Sequence, residues 1–124
     1  MELNVSGKIS KILDLSPYKV KTLIVTSSKK VEIEVEIPEK ILADIGWTPS
    51  EGDTVKLVFS EKKEKVLSSE IAYHGKIYGK EGDEAYISFG GLLAKIKGPI
   101  SESFEINSPI YLGISRASRK RKES

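Results

Sequence analysis

The sequence predicts an all-β fold, a small antiparallel barrel of eight or nine strands with one short helix after the third. Three observations carry this. Short stretches of alternating apolar and polar residues recur along the 124 residues with few helical signals between them. One stretch, "AYISFGGLLAKIKG" (85–98), shows the mark of a tight hairpin. The only helical pattern, "PEKILADIG" (38–46), falls directly after the third strand.

The hairpin is the most informative segment. Ile87 and Phe89 alternate with polar residues before Gly90-Gly91, and Leu92, Ala94 and Ile96 do so after them, so the apolar phase moves from odd to even numbers. A two-residue loop explains the shift, because residues 89 and 92 then face each other on one side of the sheet. Both loop positions of a type I′ turn need φ > 0, which glycine adopts without steric cost. Leu93 is left on the outer face beside Lys95 and Lys97.

The other elements follow in order. "LNVSGKISKILDL" (3–15) reads as a first strand with an irregularity near Gly7. "YKVKTLIVTS" (18–27) and "KVEIEVEI" (30–37) form a hairpin through Ser28-Lys29. In that register Val20, Thr22, Ile24 and Thr26 share the buried face with Val31, Ile33, Val35 and Ile37, and Lys21 lies across from Glu36. In 38–46, Pro38 suits the first turn, Ile41, Leu42 and Ile45 share a face, and Gly46 suits the end. The helix is too short to stand alone and should pack on the sheet. "TVKLVF" (54–59) turns Val55, Leu57 and Phe59 inward, and the polar segment 60–70 divides the two halves. The second half adds "IAYHGKIYGK" (71–80), the glycine hairpin, "FEI" (104–106) and "PIYLGI" (109–114). A helix after the third strand of a Greek-key barrel is the arrangement of the OB fold.

Composition bounds the function. Hydrophobic and charged fractions of 39% and 31% are those of a globular chain, sized for one domain that buries on the order of two-thirds of its unfolded surface. No apolar run is long enough to span a bilayer, and the first residues lack the pattern of a signal peptide, so a cytoplasmic location is expected. There are no cysteines. Net charge is +2, but the last nine residues carry five basic side chains, Arg116, Arg119, Lys120, Arg121 and Lys122, against Glu123. The expected organisation is a barrel over 1–115 and a basic, disordered tail over 116–124 that could touch nucleic-acid phosphates weakly.

Catalytic and cofactor patterns are not found. His74, the only histidine, has no second histidine or cysteine for a metal site. "GKIYGKE" (75–81) has the wrong spacing for a phosphate loop. Glu32, Glu34 and Glu36 lie in a line about 7 Å apart at ~3.4 Å per residue, too wide for a compact cation cage, and read as a solvated stripe. Neither cofactor, metal nor small-molecule substrate is expected. Two classes remain: a module binding single-stranded nucleic acid, for which Tyr73 and Tyr86 are candidate stacking residues, or a structural subunit docking on a larger protein. The glutamates have the wrong sign for phosphate, whereas Leu93 suits a protein contact.

At this point the residues carry a resemblance. "YHGKIYGKEGDEAYISFGGLLAKIKG" (73–98), followed by "FEINSPIYLGI" (104–114), resembles the carboxyl half of the eighth small subunit shared by eukaryotic nuclear RNA polymerases. The Tyr-x-Gly-Lys-x-Tyr strand, the GDE turn, the Y-x-S-aromatic-GGLL hairpin and the closing Tyr-Leu strand occur in the family's order over roughly 73–115. The compact link at 60–70 is similar to the archaeal branch, and residues 1–59 match only in pattern. The resemblance implies an OB-like barrel that is a non-catalytic subunit of DNA-directed RNA polymerase, seated against the largest subunit among the other subunits of the complex. Within it Gly90, Gly91, Leu92 and Leu93 are expected to form the docking element.

Overall fold

In the computed structural model, which describes residues 2–14, 17–27, 30–99 and 104–117, the first strand does double duty. β1 (Glu2–Asp14) pairs with β4 (Thr54–Ser60) through Glu2–Lys8, and with β2 (Val20–Thr26) through Lys8–Asp14. A strand this long is shared between two neighbours because barrel strands are tilted and staggered. β3 (Glu32–Pro38), β5 (Ile71–Glu81), β6 (Glu84–Phe89), β7 (Leu92–Lys97) and β8 (Pro109–Arg116) complete the set. All pairings are antiparallel, and the order β1-β2-β3-β7-β6-β5-β8-β4 closes on itself. This is the predicted OB-like barrel at eight strands.

Alternation decides the core. Leu3, Val5 and Ile9 of β1 point inward with Val55, Leu57 and Phe59 of β4. Ile71, Tyr73 and Ile77 of β5, Ala85, Ile87 and Phe89 of β6, and Ala94 and Ile96 of β7 are buried with them. α1 (Glu39–Asp44) follows β3 directly and packs on the barrel, with Leu42 buried and Ile41 and Ile45 against the core. It ends in paired hydrogen bonds: Gly46 N–H donates to the Ala43 carbonyl and Trp47 N–H to the Leu42 carbonyl, a Schellman arrangement. Fully buried Phe104 meets Phe59 edge-on, ring centres 5.9 Å apart.

The structure corrects four expectations. The β2–β3 register is shifted by one: Leu23 faces Val35 and Val25 faces Ile33, so Leu23 and Val25 are the core apolar residues of β2 and Lys21 lies opposite Ile37, not Glu36. The cause is the loop. Ser27 N–H donates to the Val31 carbonyl and Lys30 N–H to the Ser27 carbonyl, so Ser27 faces Val31 beyond the Thr26↔Glu32 pair and the connection is longer than the expected two residues, with Lys30 at φ 63°. In β1 the irregularity falls at Ser10, between Ile9 and Lys11, while Gly7 is in register with Val55. Residues 104–106 form no strand; they lead into a turn in which Ser108 N–H donates to the Glu105 carbonyl. Finally, Arg116 is the last residue of β8, not part of a tail, and Ala117 N–H still donates to the Thr54 carbonyl. Arg119, Lys120, Arg121 and Lys122 lie outside the described residues.

Candidate docking groove

The β3–β7 ladder runs from Glu32↔Lys97 to Val35↔Ala94 and stops there. At the next position two side chains take over. The Leu93 N–H donates to Glu36 Oε1 at 2.8 Å, and the Tyr73 hydroxyl donates to the Glu36 backbone carbonyl at 2.9 Å. Burial, and then the Glu36 charge, push the Tyr73 phenol far above its ordinary value, so it stays a proton donor at neutral pH. Backbone groups that would otherwise lose their partners where the strands part are thereby satisfied.

Beside this point the outer face holds an open groove of ≈ 320 Å³. Leu13 of β1 and Thr22 of β2 line one end, Glu34 and Glu36 of β3 with Leu93 and Lys95 of β7 the middle, and Tyr86 of β6 with Tyr78 of β5 the other end. Each reaches the surface for a local reason. The irregularity at Ser10 changes the parity of β1, so Ile12 packs against the core and Leu13 turns out. A second bulge, between Ile77 and Gly79, places Tyr78 next to Tyr86, ring centres 6.0 Å apart. Leu93 follows from the hairpin: Phe89 pairs with Leu92 across Gly90 (φ 65°) and Gly91 (φ 113°), and Leu93 is 43% exposed.

The polar groups are organised. Lys95 Nζ lies 2.9 Å from Glu34 and 3.9 Å from Glu84, and the Tyr86 hydroxyl donates to Glu84. The hydrogen bond to Glu34 raises the Lys95 pKa, and the Tyr86 hydroxyl lowers that of Glu84. The glutamate stripe is therefore half-buried and tied to β7, not a freely solvated face. Among the described residues, no three His, Cys, Asp or Glu side chains gather closely enough to hold a metal ion. Apolar and aromatic walls over a carboxylate floor suit recognition of another molecule.

Of the residues expected to act, Leu93 lies in the groove and Gly90 and Gly91 form its neighbouring turn, with no atom within 4 Å of where their Cβ would sit. Leu92 packs against the core, on the opposite face from Leu93. Tyr73 is buried and its ring lies 5.0 Å from Phe89, so it is no surface stacking residue; the ring beside Tyr86 is that of Tyr78. Tyr73 shares the phase of Ile71 and Ile77, and Tyr78 falls out of that phase, a signal present in the sequence. Glu36 carried no such signal, since its contact with Leu93 spans 57 residues. Arg116 does not reach the groove. Its Nε donates to both carboxylate oxygens of Glu70 (3.0 and 3.1 Å), and its other nitrogens to the carbonyls of Ile45 (3.1 Å) and Gly46 (3.4 Å). The guanidinium lies 5.8 Å from the centre of the Trp47 ring.

The fold is thus an OB-like closed barrel with an open groove on its outer wall. No family model matches the chain, and no curated protein matches it significantly. Among solved structures it is similar to the cytoplasmic molybdate-binding protein ModG with molybdate bound, at 9% identity and a TM-score of 0.37, over 91% of this chain and 89% of that one. At that distance the likeness bears on neither ligand nor activity.

Proposed function

We propose that the chain is a non-catalytic structural subunit of a DNA-directed RNA polymerase of the archaeal kind, acting in the cytoplasm by docking on the largest subunit. One observation carries the docking role: an apolar groove with Leu93 at its centre opens on the outside of a barrel whose strands are otherwise paired in a closed ring. Closure leaves no continuous strand edge to add to, so contact is made by side chains. The polymerase itself is supported by the resemblance of residues 73–98 and 104–114. In that family phosphodiester chemistry belongs to the large subunits, and the small barrel supports assembly and stability.

The groove also favours protein over nucleic acid. Its aromatic pair, Tyr78 and Tyr86, could stack bases, but Glu34, Glu36 and Glu84 surround it with the sign that repels phosphate. The test is purification of the tagged chain from native cells through a high-salt wash. Recovery of one copy per set of large polymerase subunits is the expected result. Elution alone, or with single-stranded nucleic acid, overturns the proposal and makes a free-standing nucleic-acid-binding barrel the leading alternative.

A further inference from the structure

We infer that the segment seated in this groove presents an arginine or lysine to Glu36, between apolar side chains that cover Leu93 and Tyr78. The inference rests on the docking role proposed above and names the chemistry of the partner.

The charge count of the groove is unbalanced. Lys95 is its one basic lining residue among those described, and it is committed to Glu34 at 2.9 Å with Glu84 at 3.9 Å. Among the described residues Glu36 has no cationic partner, and the one hydrogen bond its side chain makes with them is the one it accepts from the Leu93 N–H. While the groove is open, water solvates that carboxylate. A partner that covers Leu93 must also cover Glu36, because the two are hydrogen-bonded, and it displaces the water. An apolar or acidic segment would leave a desolvated, unpaired charge, whereas a basic one restores its balance. Arginine fits best, since a planar guanidinium can fork onto the free carboxylate oxygen and lie against the neighbouring Tyr86 and Tyr78 rings.

Glu36→Gln isolates the charge, for the amide keeps an oxygen to accept the Leu93 N–H. The barrel should melt as wild type does. The probes are three capped peptides alternating leucine with arginine, glutamine or glutamate, titrated into the isotope-labelled full chain and followed by amide chemical shifts. The leucine–arginine peptide should shift the Leu93, Glu36 and Tyr86 amides, and the leucine–glutamine peptide should bind about tenfold more weakly. Glu36→Gln should weaken the arginine peptide about tenfold, and Glu51→Gln, in an exposed turn outside the groove, should not. Equal binding of the arginine and glutamine peptides, an unaffected Glu36→Gln variant, or no shift at these amides overturns the inference. Reconstitution with the largest polymerase subunit runs alongside. Assembly that the arginine peptide fails to compete overturns the inference while leaving the polymerase role standing. Peptide binding at the groove without assembly supports the inference and removes the polymerase role.

Discussion

The Arg116 guanidinium joins three parts of the chain: the end of β8, the Glu70 carboxylate just before β5, and the carbonyls at the end of α1. Charged donors at a helix C-terminus and a forked carboxylate contact both stabilise, though the pair is about one-third exposed and screened accordingly. Arg116→Ala should lower stability by about 1–2 kcal/mol in urea unfolding, and Arg116→Lys should recover little because an ammonium lacks the fork. The hydrogen bonds from Arg116 hold the Glu70 carboxyl below its ordinary value of 4.5. A depressed acid stabilises fully above that value and loses the contribution as pH falls through its folded pKa. Wild type should therefore melt above Glu70→Gln at neutral pH, with the gap closing in acid as the pH falls through the lowered folded pKa. A gap that persists there would mean that Glu70 acts through packing. Arg116 sits in a basic run, and its true partner lies 46 residues away, so nothing local in the sequence separated it from the four basic residues that follow.

Among the elements, the two hairpins show what a sequence reveals about register. Gly90-Gly91 names its own turn, and the pairing of Phe89 with Leu92 follows from it. The β2–β3 connection offered no such marker. Leu23, Ile24 and Val25 are apolar at every position, so alternation could not fix the phase of β2, and the length of the loop decided it. A one-residue difference there moves a whole strand face from core to solvent. Two substitutions probe these elements. Gly91→Ala, at φ 113°, should cost about 1–2 kcal/mol and leave the barrel intact, read as a lower thermal midpoint. Gly75→Ala is far harsher, because its Cβ would lie 2.2 Å from the Ser88 carbonyl oxygen, backbone that cannot turn aside. A loss of more than about 3 kcal/mol is expected, seen as failure to accumulate folded protein. Normal yield of the Gly75→Ala protein would show that β5 and β6 can separate more than their packing indicates.

For the whole molecule, the barrel class and the helix after β3 were legible because both depend on local periodicity. The pairings that close the ring, β1 with β4 and β3 with β7, were not, since antiparallel neighbours far apart in sequence leave no signature in either strand alone. The groove inherits that limit: Leu93 and Tyr78 could be placed on an outer face from alternation, but their gathering with Leu13 and Glu36 needs the closed ring. Leu93→Asp tests the groove at this scale. The substitution is on a solvent-facing position, so the barrel should keep its stability to within about 0.5 kcal/mol while incorporation into polymerase fails. A melted variant would mean that Leu93 supports the barrel itself.

β8 is inserted between β4 and β5, the two strands on either side of the central link. During translation, β4 and β5 are therefore made with facing edges bare, and they stay so until β8 leaves the ribosome. Polypeptides released early, before Ile110 to Ile114 are in place, carry two ready templates for intermolecular pairing. Cells making this protein face an aggregation hazard in chains that lack β8, which ends once β8 is seated between β4 and β5.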